Sequence, residues 1–492
     1  MRVAILHYHL RPGGVTKVIQ NALSSLSSKT IHTVVVAGEP SEASMPIPRA
    51  VIVEGLGYYN QSAPVRSPHD VVKTLEQVVV QHLGALPDVW HIHNHGLGKN
   101  AIMAEVAYLL SQRGHRLLLQ PHDFAEDGRP ANYRLLRERL APNTPEEFGS
   151  HLYPQGKHVH YALINPRDLR LLETVGVHPA QLHYVPNAVE IEHDAEDDDL
   201  LPEDAALLGD IDRVFFYPAR AIRRKNIGEF LLWAALAAEG ERYAIARAPK
   251  NPMARPIYDS WVQFSHSLKL PVQFGLGEQW RGTFRALLRA SSAIMTTSVA
   301  EGFGLAFLEP WLVKRPLLGR HLPEITSPLE KAGIDLSALY RRLDVPIEWV
   351  GRQNFRLEVD DQLKRVYESY GRILRQEDLE CAITEAIQDD RVDVGKLNET
   401  FQQRVIRHLA DSPAARDEIV PQRLTLTDDW AETVRKNQET VLAQFNLDRY
   451  GKQLLHLYQT VAESEVEFFE PVDTHRLLDL FLDPKRFCLL RT

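Results

Sequence analysis

Short apolar runs alternate with longer helix-patterned stretches along the first 190 residues, and a second such series begins at Val214. Val3–Leu6, Thr33–Val36, Val51–Val53, Val89–Ile92, Leu117–Leu119 and 161–165 read as strands with few polar positions. Between them Val15–Ser24, Val71–His82, Ala101–Gln112 and Arg167–Thr174 carry helical periodicity. Strands that are apolar on both faces and separated by helices predict a parallel sheet covered on both sides. The second series runs through Val214–Tyr217, Ile227–Ala238, Tyr243–Ala246, Val272–Phe274, Phe284–Ala290, Ala293–Thr296 and Leu305–Val313. The expected class is α/β with two doubly wound, Rossmann-like halves.

An acidic run with little apolar content, beginning at Glu190 and ending at Asp204, separates the two series and reads as a linker. The expected division is therefore a first domain over 1–190, a linker over 191–204 and a second domain over 205–435. After about residue 327 the alternation fades, and a helical insertion is expected there. Residues 436–492 hold an amphipathic helical pattern from Asn437 to Ala462, with a break near Asn446, and a tail. The 492 residues include only two cysteines, Cys381 and Cys488, which gives no disulfide framework and fits a reducing cytoplasm. No apolar run reaches the roughly 18 residues of a membrane span, and MRVAILHYHL reads as a buried first strand rather than a leader. A formal charge of −9 makes the surface as a whole a poor match for nucleic acid.

Ligands of open α/β sheets bind beyond the carboxyl ends of the strands, and several such ends carry unusual residues. After the first strand comes Arg11-Pro12-Gly13-Gly14-Val15, where paired glycines allow close backbone approach before a helix opens; a plain strand–helix turn explains the pair as well. Tyr217 to Asn226 places Arg220, Arg223, Arg224 and Lys225 at another strand end, suited to phosphate charge or to a basic surface turn. Glu301-Gly302-Phe303-Gly304-Leu305 opens an expected helix whose N-terminus would seat a diphosphate, and Glu301 and Glu309 could reach sugar and ribose hydroxyls. His91, His93 and His95 alternate after Trp90, with His7 and His9 ending the first strand. On an extended segment three imidazoles on one side could hold zinc and activate water, so a metal-dependent hydrolase is the rival reading. Phe124 to Gly156, with Arg134, Arg137 and Arg139, reads as a variable loop, solvated or meeting an anionic acceptor.

Taken in order, Gly13-Gly14, Pro186-Asn187-Ala188, Arg220 with Lys225, the two glutamates with seven residues between them, and Leu322-Pro323-Glu324-Ile325 resemble the retaining family 4 glycosyltransferases, of the glycogen synthase and sucrose synthase superfamily. The resemblance covers most of 1–326 and about 436–462. It implies the GT-B fold, with two domains facing across a cleft and C-terminal helices crossing back to the first. It implies transfer of a hexose, with retention and without a metal or other cofactor, from a nucleotide-diphosphate sugar to a hydroxyl acceptor that is a small molecule, a glycan or a lipid-linked group. By resemblance Arg220 and Lys225 hold the donor diphosphate, with Gly13, Gly14 and Gly302 to Leu305 close to the donor. Glu301 contacts the sugar, Glu309 the ribose, and His122 the sugar near the reacting centre. The same fold also serves nucleotide-sugar epimerases and sugar phosphorylases. The chain departs from the family at Ala188, Ala219 and Asn226, where glycine is usual, and at Pro310, inside the expected helix.

Overall fold

The structure, a computed structural model, describes residues 1–27, 30–43, 45–47, 49–59, 66–190, 200–209, 211–419 and 430–491. The chain divides into two compact units, Met1–Glu190 with Phe445–Leu482, and Ile191–Gln444 with Asp483–Thr492. Among the described residues no helix is long and apolar enough to cross a membrane.

The first unit is built on a seven-stranded parallel sheet of β1 (Arg2–His7), β2 (His32–Ala37), β3 (Val51–Ile52), β4 (Val89–His93), β5 (Leu117–Gln120), β6 (Val159–Leu163) and β7 (Leu182–Tyr184). Their order is β3-β2-β1-β4-β5-β6-β7, so the direction of winding reverses between β1 and β4, where such sheets bind ligands. β4, β5 and β6 are buried at every position, as near-continuous apolar strands require. Helices start where the sequence supplies a cap and then proline. Ser67, Thr144 and Asn165 accept from the backbone N–H three residues on, ahead of Pro68, Pro145 and Pro166.

The expected break in the C-terminal helical pattern falls at Asn446, whose side chain caps the Leu447–Glu463 helix by accepting from Arg449 N at 2.8 Å. That helix returns to the first unit. Tyr450, Leu454, Leu457, Tyr458 and Val461 join Val3, Ile5, Ile19, Ala22 and Leu26 in one core. Gly451 allows the contact, because a Cβ there would lie 2.4 Å from Ser25 O. The tail then rejoins the second unit at Asp483, a return that periodicity does not announce.

The second unit repeats the plan with β8 (Arg213–Arg220), β9 (Glu241–Arg247), β10 (Val272–Phe274), β11 (Ala293–Thr296), β12 (Leu317–Arg320) and β13 (Leu339–Tyr340), ordered β10-β9-β8-β11-β12-β13. Its reversal lies between β8 and β11. β12 and β13 add to the strands the alternation marks. Of the acidic run, 191–199 lie outside the described residues. Pro202–Leu208 is a helix, and Asp204 is buried, accepting from Arg281 N at 2.9 Å and Gly282 N at 2.8 Å.

The region after 327 holds helices over Arg352–Ser369, Gln376–Ala386 and Glu399–Asp411. It also contains a small antiparallel sheet of β14 (Asp344–Pro346), β15 (Ile387–Gln388) and β16 (Arg391–Asp393).

Candidate functional site

In the second unit, the strand ends on either side of the reversal are tied together. After β8 the chain makes a single 3₁₀ turn, Arg223–Lys225, and Asn226 then starts the Ile227–Ala235 helix. After β11 comes Thr297 to Glu301. Val299 N and Ser298 Oγ donate to Arg224 O at 2.9 and 3.2 Å, and Thr297 Oγ1 donates to Lys225 O at 3.0 Å. Tyr217 Oη reaches the same carbonyl at 3.1 Å. The loop is therefore fixed by its backbone, which leaves its cations to be placed individually.

They separate into three roles. Lys225 Nζ binds Glu301 Oε1, and Arg224 Nη1 donates to Glu301 Oε2 at 3.0 Å and to Ala300 O at 2.6 Å. Arg223 turns elsewhere, to Glu399 at 2.7 and 3.1 Å and to Leu489 O at 3.0 Å, which removes it from the phosphate-neutralising group expected of the four cations. Arg220 ends β8 with its side chain exposed. Glu301 is only 10% exposed. Burial pushes its carboxyl up, but the Lys225 and Arg224 charges outweigh that and hold it below the usual range. Glu309 also contributes, as the smallest of the causes, to the field at Lys225.

The expected helix over Leu305–Val313 is replaced by a 3₁₀ turn, Leu305–Phe307, a kink at Leu308 and a four-residue helix, Glu309–Leu312. Pro310 is the physical reason: without an N–H it is tolerated in a first turn and not in a helix interior. The full-length helix dipole expected to seat a diphosphate is therefore lacking. Gly304 is left-handed (φ 87°), and a Cβ there would lie 2.6 Å from Ile325 Cγ2. Phe303 is buried and Glu309 exposed.

In the first unit, Gly13 precedes the Gly14–Leu26 helix in extended backbone (φ 179°). A Cβ on Gly13 would meet only Arg11 O, at 3.9 Å, and one on Gly14 nothing within 4 Å. Neither glycine is required by the chain's own conformation or packing, and the space above the helix start is open.

The histidines form a hydrogen-bonded set. His91 Nε2 donates to Gln120 Oε1 at 2.9 Å, which leaves its Nδ1 to accept from Tyr458 Oη at 2.8 Å. His93 Nδ1 and His122 Nε2 share a hydrogen bond of 2.9 Å, their ring planes 15° apart. His122 N donates to Asn94 Oδ1 at 2.7 Å, so the β4 and β5 ends are joined there. His95 lies beyond the end of β4 and pairs through Nε2 with Leu152 O at 3.0 Å, so the three alternating histidines do not share one side. Burial lowers His7, His91 and His95 to about 4 and His122 to about 3. These rings are neutral at pH 7. Among the described residues no group of three or more His, Cys, Asp or Glu side chains is arranged to hold a metal ion.

Phe124 to Gly156, expected as a loop, instead holds the helices Pro130–Leu140 and Pro145–Leu152; the cations Arg137 and Arg139 singled out there belong to an aromatic and cationic set whose ring partners sequence reading did not identify. Tyr58 packs edge-on to His9 and Tyr8, and Lys99 Nζ lies 5.6 Å above its ring. Arg11 pairs with Glu39 and Arg129 with Asp123. Arg137 and Arg139 cover the rings of Phe148 and Tyr59. Arg139 reaches Tyr59 across 80 residues of chain, so no local spacing encodes that contact.

No protein-family model matches the chain. A curated relative, the mannosylglucosyl-3-phosphoglycerate synthase of Petrotoga mobilis, is 27% identical over 341 residues, covering 65% of this chain and 65% of that protein. The chain thus spans about 65% of the length of the curated relative it matches. Among solved structures, Anabaena Alr3699/HepE in complex with UDP and glucose has a TM-score of 0.53 at 12% identity, covering 94% of this chain and 100% of that chain. A glycosyltransferase from Rickettsia africae gives 0.55 at 11% identity, covering 94% and 99%. The trehalose-6-phosphate synthase OtsA gives 0.52 at 14%, covering 93% and 99%. At these identities the likeness is one of fold, and with two doubly wound sheets the chain has the GT-B fold.

Proposed function

We propose that this chain is a glycosyltransferase that moves a hexose from a nucleotide-diphosphate sugar to a hydroxyl acceptor, with retention and without a metal. The observation that carries the reading is Glu301 clasped by Lys225 and Arg224 at the strand ends where the second sheet reverses. A buried cation already balanced by a carboxylate is preorganised. When a diphosphate arrives, Lys225 can divide its charge between phosphate and Glu301 without a large rearrangement.

In the proposed reaction the acceptor oxygen attacks the anomeric carbon on the face from which the diphosphate leaves. The bond from that carbon to the phosphate oxygen breaks, its electron pair stays on the phosphate, and the acceptor's proton passes to that phosphate oxygen. Arg220 and Lys225 are assigned to the charge that grows on the leaving group. Glu301 is assigned to a sugar hydroxyl and Glu309 to the ribose. His122, neutral through burial, is assigned to the transferred sugar as a hydrogen-bonding group rather than as a cation. The open space above Gly13 and Gly14 supports close approach of a ligand to that helix start.

The acceptor is proposed to carry a phosphate or carboxylate. Support comes from Lys99, Arg129 and Arg11 around Tyr58 and from the name of the Petrotoga relative. A cytoplasmic location is proposed from the two free cysteines.

The test is thermal stability against UDP, GDP and ADP and their sugars, with and without chelator, followed by transfer of labelled sugar to phosphoglycerate-type acceptors. A ligand at 100 times its Kd adds about 2.7 kcal/mol to the folded state. A selective, chelator-insensitive shift followed by acceptor-dependent release of nucleoside diphosphate is the expected result. Destabilisation by chelator with no nucleotide effect would instead favour the metal-dependent hydrolase.

A further inference from the structure

Asn226 follows the lysine of the basic loop with a left-handed backbone, φ 54° and ψ 57°. That conformation is disfavoured for a residue with a Cβ, although asparagine tolerates it better than most. The side chain is held at both ends. Nδ2 donates to Glu229 Oε2 at 2.6 Å, and Oδ1 accepts from Gln402 Nε2 at 2.7 Å. Gln402 Nε2 also donates to Val394 O at 3.0 Å.

Glu229 is in turn fixed by Arg320 Nη2 at 2.6 Å and by Tyr340 Oη at 2.6 Å, and Arg320 extends to Asp393 at 2.8 and 2.9 Å. Asn226, Glu229, Arg320, Asp393 and Gln402 are all buried. Asp393 ends β16, and Gln402 and Glu399 lie on the Glu399–Asp411 helix. The region that interrupts the strand–helix alternation thus supplies three of the groups that reach the basic loop or its supports.

We infer that this region positions the donor-phosphate grip, with Gln402 as the residue that keeps Asn226 left-handed and so aims Lys225 and Arg224 at Glu301. The inference rests on the donor role proposed for Lys225. It accounts for an asparagine where glycine would take the left-handed backbone unaided: the tether from Gln402 replaces glycine's freedom. Gln402 is a positioning residue, since nothing in its contacts brings it to Lys225 or Glu301 directly.

The test uses the full chain, with affinity for UDP, GDP and ADP measured by calorimetry and donor KM and kcat measured separately. Gln402→Leu, which removes both hydrogen bonds at similar volume, is expected to weaken nucleotide binding and raise donor KM at least tenfold, with kcat within threefold. The double variant Asn226→Gly with Gln402→Leu is expected to return both to within threefold of wild type. Because Gln402→Leu could fail to fold, Asn226→Ala and Asn226→Gly form a second comparison, in which glycine is expected to bind at least tenfold more tightly than alanine. Wild-type affinity in Gln402→Leu overturns the assignment. So does a folded Gln402→Leu whose defect glycine at 226 leaves unchanged, and so does equal affinity of the alanine and glycine variants. Failure of the wild type to bind any of the three nucleotides overturns the donor reading, and the positioning role with it.

Discussion

Replacing Arg320 by methionine isolates one large electrostatic term. The guanidinium is buried between Glu229 and Asp393, with contacts of 2.6 to 3.2 Å to their oxygens and 3.1 Å to Arg341 O. Methionine fills much of the same volume but removes the guanidinium that bridges two buried carboxyl groups, leaving only the weaker fields of Arg342 and Lys396 at Asp393. Removing one partner of a buried ion pair costs about 3–5 kcal/mol. At roughly 2–4 °C per kcal/mol for a domain of this size, the melting transition of the second unit should fall by about 6–20 °C.

The pH dependence gives a second, independent sign. In the wild type, burial raises Glu229, whereas at Asp393 burial is outweighed by Arg320, which holds the carboxyl below its usual range. Without the guanidinium both carboxyls rise. A folded-state carboxyl pKa above the unfolded value costs stability as pH rises through it, so the deficit should be larger at pH 8 than at pH 5.5. Scanning calorimetry of wild type and Arg320→Met at both pH values reads this directly. A deficit below about 1 kcal/mol at pH 8, small against the cost expected for a broken buried pair, or one that deepens towards pH 5.5, would refute the reasoning.

Lys225→Ala and Glu301→Ala should each lower sugar transfer by about 10²- to 10³-fold, the scale for losing one preorganised charge-stabilising group, with the far-ultraviolet circular dichroism unchanged. Gly14→Ala should keep or slightly raise the melting temperature, since alanine gains up to about 1 kcal/mol over glycine in a helix, while transfer falls at least about tenfold if ligand approaches there. Tyr458→Phe removes the hydroxyl that donates to His91 and should cost about 1 kcal/mol in urea unfolding. His7, His91, His95 and His122 are all lowered in the folded state by burial. Their contribution is full above the unfolded value near 6.5 and is lost as pH falls towards about 4, so the melting temperature should drop between pH 7 and pH 5.

Much of the fold was legible because its signal is local. Val3–Leu6, Val89–Ile92 and Leu117–Leu119 lie inside β1, β4 and β5 because strands buried on both faces are mostly apolar, the buried His91 and His93 of β4 being hydrogen-bonded exceptions. The break at Asn446 was readable because a capping side chain acts within three residues. Pro310 was visible as a departure inside the helix expected over Leu305–Val313, and the structure shows that helix broken there. The sites were legible as residue types at strand ends and less so as partners. Arg223 looked equivalent to Lys225, and His95 to His93, because neighbours in sequence share composition while their side chains answer to different surroundings.

The sequence by itself therefore determined two doubly wound halves and the polar residues that stand at their strand ends; where each sheet reverses is a matter of strand order, seen only in the structure. Tertiary structure alone decided that Arg223 serves Glu399 and Leu489, that Asn226 is left-handed, and that Gln402 and Asp393 support the loop from more than 150 residues away in the chain. Apolar periodicity is set by which face of a local element meets the core, so it can be read from neighbouring residues. A buried hydrogen bond depends on where two distant backbones meet, and that is settled only when the chain has folded.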